Sequence, residues 1–178
     1  LSAGFCVTKD GLLADVILRG TFNFLDVVRY DFMHTAFQDG FMSNAMWLLC
    51  KSVFEVKYGR SKDATPLLRF LRELQFPQSR SDGRRLKDLC SEKLMGKHAT
   101  RNVIVGNASM QLSLYKILEY WAAEEANDCP ELLEHCAVYF AACKIIDIYI
   151  GVKHRRRDTA TAKRELVVSI GNWQNIHK

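Results

Sequence analysis

The chain has 178 residues, of which 48% are hydrophobic and 25% are charged, and this composition excludes a disordered or low-complexity protein. Its formal net charge of +5 favours polyanionic partners. The longest apolar run, residues 137–150, is interrupted by Lys144 and Asp147, so no uninterrupted run approaches the ~20 residues of a membrane-spanning helix. Because its start also lacks a signal-peptide pattern, we expect an intracellular protein, nuclear or cytoplasmic, with no membrane partner.

Residues 1–40 are predicted to form a β-prone segment whose strand part ends at Asp31. The runs 5–8 and 12–18 flank an Asp-Gly pair, which supplies the positive φ of a tight hairpin turn, although the second run also tolerates a helix. The run 24–30 is a further strand candidate. Because the chain begins with leucine rather than methionine, we expect it to be a fragment of a longer protein.

Residues 41–178 are predicted to form a helical domain, because apolar residues recur there at helical spacing. Gly59 is expected to end the first helix, Thr65 to cap the second with Pro66 at its first position, and Gly96 to follow the third. Residues 103–105 are either a brief strand or a buried linker. The predicted helices span residues 41–58, 65–76, 84–95, 108–126, 130–151 and 161–177.

The two longest helices, 108–126 and 130–151, are joined by the turn signal Asn127-Asp128, so they should pack antiparallel. The second of them is apolar nearly all round, which indicates a central buried helix. The predicted fold class is therefore mainly α, a bundle of about six helices with a small β element at the N-terminus.

Three of the six cysteines, Cys129, Cys136 and Cys143, are spaced seven residues apart, which places them near one helix face. No C-x-x-C pair of the kind found in structural zinc sites is present. Small buried side chains are therefore the favoured interpretation of these cysteines, with metal or redox chemistry as the alternative.

Asp31 and His34 are a candidate metal pair. An aspartate at the end of a strand, followed three residues later by a histidine, provides ligand types that suit Mg²⁺, Mn²⁺ or zinc. The alternative is an N-cap aspartate with a histidine packed into the core. The acids Glu124, Glu125, Glu131 and Glu134 near Asn127-Asp128 are further carboxylates, although acids at helix ends more often face solvent.

Two basic clusters are candidate nucleic-acid contacts. The denser one contains Lys153, Arg155, Arg156 and Arg157, and residues 151–164 hold six Lys or Arg against one acid, Asp158. Clustered cations neutralise phosphates and bind nucleic acid in a salt-dependent way. The alternative is a solvated loop after a helix C-terminus, where cations suit the helix dipole.

The weaker basic cluster includes Arg84 and Arg85, together with Arg80 and Lys87, and the same two interpretations apply to it. The sequence contains no P-loop, no G-x-G-x-x-G, no G-x-S-x-G and no H-E-x-x-H. Common nucleotide-binding and hydrolase sites therefore have little support.

The block V-R-Y-D-F-M-H-T-A-F-Q-D-G, residues 28–40, resembles a block of transposase-like proteins from multi-copy mobile elements. They are similar in layout to the Kyakuja–Dileera–Zisupton group of DDE transposases. The block E-H-C-A-V-Y-F-A-A-C-K-I-I-D-I-Y-I, residues 134–150, and the ending W-Q-N-I-H-K resemble the helical insertion of that group. The likeness covers most of the chain.

The resemblance implies that residues 1–40 hold the edge of an RNase H-like core and that Asp31 is a catalytic metal ligand. Enzymes of this group use acids to hold two divalent ions, Mg²⁺ or Mn²⁺, during phosphodiester chemistry on DNA. The chain stops before the expected closing glutamate, so this piece should bind DNA weakly and cleave nothing by itself. The alternative function is a non-catalytic helical interaction or nucleic-acid-binding domain, and self-association is left open.

Overall fold

The computed structural model describes residues 32–38, 40–60, 63–76, 82–154 and 156–176. The predicted β element and Asp31 lie outside these residues. Helices dominate the described part, which contains no strand, so the mainly α class is confirmed there. The helices are α1 Phe32–Phe37, α2 Phe41–Val56, α3 Thr65–Glu73, α4 Asp82–Asp88, α5 Glu92–Arg101, α6 Ala108–Asp128, α7 Leu133–Lys153 and α8 Thr159–Ile176.

Most helix boundaries follow the sequence signals. Gly59, with φ of +67°, follows the end of α2 as predicted. The expected N-cap of α3 is wrong, because Thr65 already lies inside the helix and Ala64 occupies the cap position. Asp63 performs the capping task instead, since its Oδ1 accepts the backbone N–H of Thr65 at 3.0 Å.

The predicted single helix 84–95 is two helices, α4 and α5, separated by a turn at residues 89–91. Gly96 lies inside α5 rather than beyond its end, and Asn102 ends that helix with φ of +52°. The reason for the break is tertiary: the carbonyl of Leu89 accepts a hydrogen bond from the buried side chain of His98.

His98 joins three parts of the fold. Its Nδ1 accepts the backbone N–H of Val105 at 2.9 Å, so its Nε2 carries the proton and donates to the carbonyl of Leu89 at 2.8 Å. Burial lowers the pKa of His98, and the bond to Leu89 partly offsets this effect. The neutral ring helps to hold residues 103–105 as a linker in which Val103 and Ile104 are buried, and the N–H of Ile104 also donates to the carbonyl of Ser43 at 2.9 Å.

The core lies between α2, α6 and α7, with α1 packed on α2 and α6 and with α8 packed on α7. Its largest buried side chains include Trp47 and Phe54 of α2, Trp121 of α6 and Tyr139 of α7. The rings of Phe54 and Trp121 are 6.1 Å apart, a spacing at which aromatic pairs attract. A long helix that is apolar on several sides is stable here because neighbours cover those sides.

Helices α6 and α7 are antiparallel, as predicted. The hydroxyl of Tyr139 donates to the carbonyl of Tyr115 at 2.8 Å, and the thiol of Cys136 contacts the carbonyl of Ala122 at 3.6 Å. Residues nearer the C-terminus of α7 therefore contact residues nearer the N-terminus of α6. A 3-10 turn, Pro130–Leu132, lies between the two helices.

Gly40 is required because there is no room for a side chain at this position, and not because of its backbone conformation. Its φ is −89°, which any residue adopts. A Cβ at this position would overlap the carbonyl oxygen of Thr35 and would lie 2.6 Å from the carbonyl oxygen of Ala36. The close approach of α1 and α2 therefore depends on the missing side chain.

We predict that Gly40→Ala lowers the free energy of unfolding by about 1–3 kcal/mol, because the added methyl group forces α1 and α2 apart. Gly96→Ala is the matched control, because Gly96 lies within α5 and a Cβ there meets no atom within 4 Å. That change should raise stability by about 0.5–1 kcal/mol through helix propensity. Urea denaturation measures both, and equal stabilities for the two variants would contradict the packing argument.

Candidate nucleic-acid interface

Two backbone hydrogen bonds join the described residues after α7 to its last turn. After α7 ends, the N–H of His154 donates to the carbonyl of Ile150 at 3.0 Å, and the N–H of Arg156 donates to the carbonyl of Gly151 at 2.8 Å. These bonds satisfy carbonyls that the last turn of a helix otherwise leaves without a partner. They therefore tie the backbone of His154 and Arg156 to α7.

Asp158 starts the next helix. Its Oδ2 accepts the backbone N–H of Thr161 at 2.8 Å, which is the geometry of an N-cap. Hydrogen bonds from backbone N–H groups, that of Thr161 first, lower the pKa of Asp158. The one acid in this basic stretch is therefore used to begin α8 rather than to neutralise a neighbouring cation.

We call the segment 153–164 the cationic turn, and its described Lys and Arg residues are exposed. Lys153, Arg156 and Lys163 are exposed and form no ion pair with any other residue that the structure describes. Arg164 is also exposed and contacts the hydroxyl of Thr161 at 3.4 Å. Arg155, the other predicted contact in this cluster, lies outside the described residues.

Arg157 differs from the other predicted contacts. Its guanidinium pairs with the carboxylate of Glu165 on α8, and its aliphatic chain lies against Gly151 of α7. Part of its charge is therefore compensated within the protein. Spacing alone did not separate this arginine from its neighbours.

The second predicted basic cluster belongs to another helix pair. Arg85 is exposed on α4 and Lys87 is half-buried, whereas the side chain of Arg84 and all of Arg80 lie outside the described part of the chain. Helix α4 packs against α3 and α6, while the cationic turn belongs to α7 and α8. The two clusters therefore stay separate candidates.

The metal prediction for Asp31 and His34 stays a prediction. Helix α1 begins at Phe32, directly after Asp31, and contains His34, but neither side chain is among those described. Among the described side chains, no group of three or more His, Cys, Asp or Glu residues is placed to hold a metal ion.

The acids near Asn127-Asp128 include a structural one. Glu125 has only 12% of its side chain exposed and lies 2.6 Å from the Nζ of Lys57, and it accepts the hydroxyl of Tyr58 at 3.0 Å. Asp128 is 3.3 Å from the same lysine. Although partial burial acts to lower it, the hydrogen bonds to Glu125 and Asp128 raise the pKa of Lys57. These contacts fasten the end of α2 to the end of α6.

A second polar group went unnoticed in the sequence. Lys116 lies 2.5 Å from Asp147 and 2.6 Å from Glu119, and the hydroxyl of Tyr115 donates to Asp147 at 3.0 Å. Burial raises the pKa of Tyr115, and the charge of Asp147 raises it further. The sequence signal for this group is Asp147, because a charge on an otherwise apolar helix needs a partner. The contacts of Asp147 cross-link α6 and α7.

Two of the three evenly spaced cysteines are core residues. Cys136 and Cys143 are buried in the core, and Cys129 is half-buried just before α7. Burial raises the pKa of the Cys136 thiol to about 11, so the reactive thiolate is disfavoured. The favoured interpretation of these residues as small buried side chains is confirmed for Cys136 and Cys143.

The segment Pro130–Lys153 is long and apolar enough to cross a membrane, judged by length and composition alone. This criterion tolerates Lys144 and Asp147, whereas the count of uninterrupted apolar residues stops at each of them. Tyr139, Cys143 and Ile146 of the same segment are buried in the bundle. Core packing against α2 and α6 therefore accounts for the apolar character of that face.

An open groove of about 380 Å³ runs between α2 and the first half of α7. Its rim holds both signs of charge, and Lys51 and Glu55 on this rim lie 4.0 Å apart. Unlike the cationic turn, the groove carries charges of both signs and therefore does not favour a ligand of one charge. Its lining consists of Ala45, Leu48, Leu49, Lys51, Ser52, Glu55, Glu134, His135, Val138 and Tyr139.

Comparison of the chain with protein-family models, curated proteins and solved structures finds no match. Function is therefore inferred from the sites described above and from the sequence resemblance.

We predict that the chain binds Mg²⁺ or Mn²⁺ and that Asp31→Ala weakens this binding by about tenfold or more, because a carboxylate ligand is removed. Asp88→Ala is the control, since Asp88 is an exposed acid on α4. Isothermal titration calorimetry with each metal measures the effect. A wild-type chain that binds neither ion, or equal binding by both variants, would remove the metal site.

Proposed function

We propose that this chain is a DNA-binding helical domain of a transposase-like protein, and that it contacts the phosphate backbone through the cationic turn. The observation that carries the proposal is the set of exposed cations, Lys153, Arg156 and Lys163, which form no ion pair with other described residues. A duplex presents a regular array of phosphates, and Lys and Arg side chains are the groups that neutralise them.

Helix electrostatics explain only part of this charge. Lys153 lies at the C-terminus of α7, where the helix dipole favours a cation. Arg156 and Arg157 lie directly before the N-terminus of α8, where the dipole disfavours one. The exposed charge of Arg156 therefore opposes the local helix dipole and suits an external anion, whereas Arg157 is paired with Glu165.

The order of the turn favours binding. The hydrogen bonds of His154 and Arg156 to α7, together with the Asp158 cap, hold the backbone before any partner arrives. A preorganised site loses less conformational entropy on association. Contacts to phosphates by such a turn would be independent of base sequence and sensitive to salt.

The resemblance to transposase-like proteins supports the same role, because it includes α7, which resembles the helical insertion. Catalysis is a separate proposal, in which Asp31 is one metal ligand and the further acids lie outside the described residues. Glu125 and Asp147 are each paired with a lysine, so we do not include them among the proposed metal ligands.

We predict that the chain binds a short DNA duplex and that Arg156→Gln and Lys163→Gln each weaken binding and flatten its salt dependence. The slope of log K against log salt, measured between about 50 and 200 mM, should fall in magnitude by about 0.9 for each phosphate that is no longer neutralised. Fluorescence anisotropy with a labelled duplex provides the affinities.

Lys97→Gln is the matched control for this prediction, because Lys97 is an exposed cation on α5 and the change in net charge is the same. Its slope should equal that of the wild type. A wild-type chain that does not bind DNA at about 50 mM salt would overturn the proposal. Equal reductions in affinity for Lys97→Gln and Arg156→Gln would show that only net charge matters.

A further inference from the structure

Arg157 and Gly151 form a close contact between α7 and the cationic turn. A Cβ at position 151 would lie 2.9 Å from the Cδ and 3.1 Å from the Cγ of Arg157, so the arginine chain occupies the space that any other residue would fill. The guanidinium beyond it pairs with Glu165. Arg157 therefore crosses from the end of α7 to the side of α8.

The same glycine also anchors the backbone of the turn. Its carbonyl accepts the N–H of Arg156 at 2.8 Å, so Gly151 fixes the main chain of one arginine and accommodates the side chain of the next. Both contacts meet at Gly151, so a side chain added there acts on the residue next to that hydrogen bond.

We propose that Arg157 is a positioning residue, which holds the cationic turn in its binding shape and does not itself contact phosphate. This inference rests on the proposed DNA-binding function and assigns different roles to two adjacent arginines. Arg156 faces solvent and supplies charge to the ligand. The guanidinium of Arg157 pairs with Glu165, and its aliphatic chain contacts Gly151.

Gly151→Ala tests the inference without altering any charge. The methyl group displaces Arg157, and the turn loses its preformed shape. Because the turn must then be ordered again on binding, DNA affinity should fall by about three- to tenfold, with an unchanged slope of log K against log salt. Gly171→Ala is the matched control, because a Cβ at that position in α8 meets no atom within 4 Å.

The double variant Arg157→Gln/Glu165→Gln provides the second measurement. It keeps the net charge and removes the ion pair, so its affinity should fall while its salt slope stays that of the wild type. If Arg157 contacts phosphate directly, the slope of this variant falls in magnitude by about 0.9, and the inference is wrong. It is also wrong if both Gly151→Ala and the double variant bind like the wild type.

The failure of this inference is distinguishable from that of the proposed function. If the wild type binds DNA and Arg156→Gln lowers the salt slope, the DNA-binding role stands whatever the Gly151 variant does. If the wild type does not bind DNA, the proposed function is lost and the positioning role with it. Amide hydrogen exchange at Arg156 tests the positioning role in the absence of DNA. Gly151→Ala should accelerate this exchange.

Discussion

The burial of α7 is the constraint on which the rest of this fold depends. Tyr139, Cys143 and Ile146 are fully enclosed, and removing such side chains from water is the dominant favourable contribution to folding. Helices α2 and α6 cover one part of α7, and α8 covers another. An apolar helix of this length needs neighbours on several sides, and their packing fixes where its two ends reach the surface.

Polar contacts give this packing its register. The hydroxyl of Tyr139 bonds to the backbone of α6, and Asp147 meets Tyr115 and Lys116 of the same helix. A one-residue shift of α7 would leave these groups buried or half-buried without partners, at a cost of about 1–3 kcal/mol for each. The alignment of α6 and α7 therefore determines where Lys153 and the turn after it emerge.

Several elements could be predicted from the sequence because their signals are local. Helical periodicity identified α2, α6, α7 and α8, and the all-round apolar character of α7 indicated its burial. The break between α4 and α5 could not be predicted, because it depends on the bonds of His98 to Leu89 and Val105. The pairing of Glu125 with Lys57 was equally hidden, since those residues lie far apart in the chain.

The site was partly predictable for the same reason. A count of cations located the cationic turn, but charge counting treats all arginines alike. Only the fold reveals that Arg157 is paired with Glu165 while Arg156 is exposed. The acid Asp158 was identified as the lone anion of the segment, and the structure shows that it caps α8. Asp31 and His34 remain predictions, because their side chains lie outside the described residues.

The most direct test of the central claim is NMR mapping of backbone amides during titration with a short DNA duplex. We expect the largest chemical-shift changes at residues 153–164, and we expect them to diminish as salt is raised from about 50 to 200 mM. Changes centred on α4 around Arg85, or changes at the groove between α2 and α7, would contradict the assignment of DNA binding to the cationic turn.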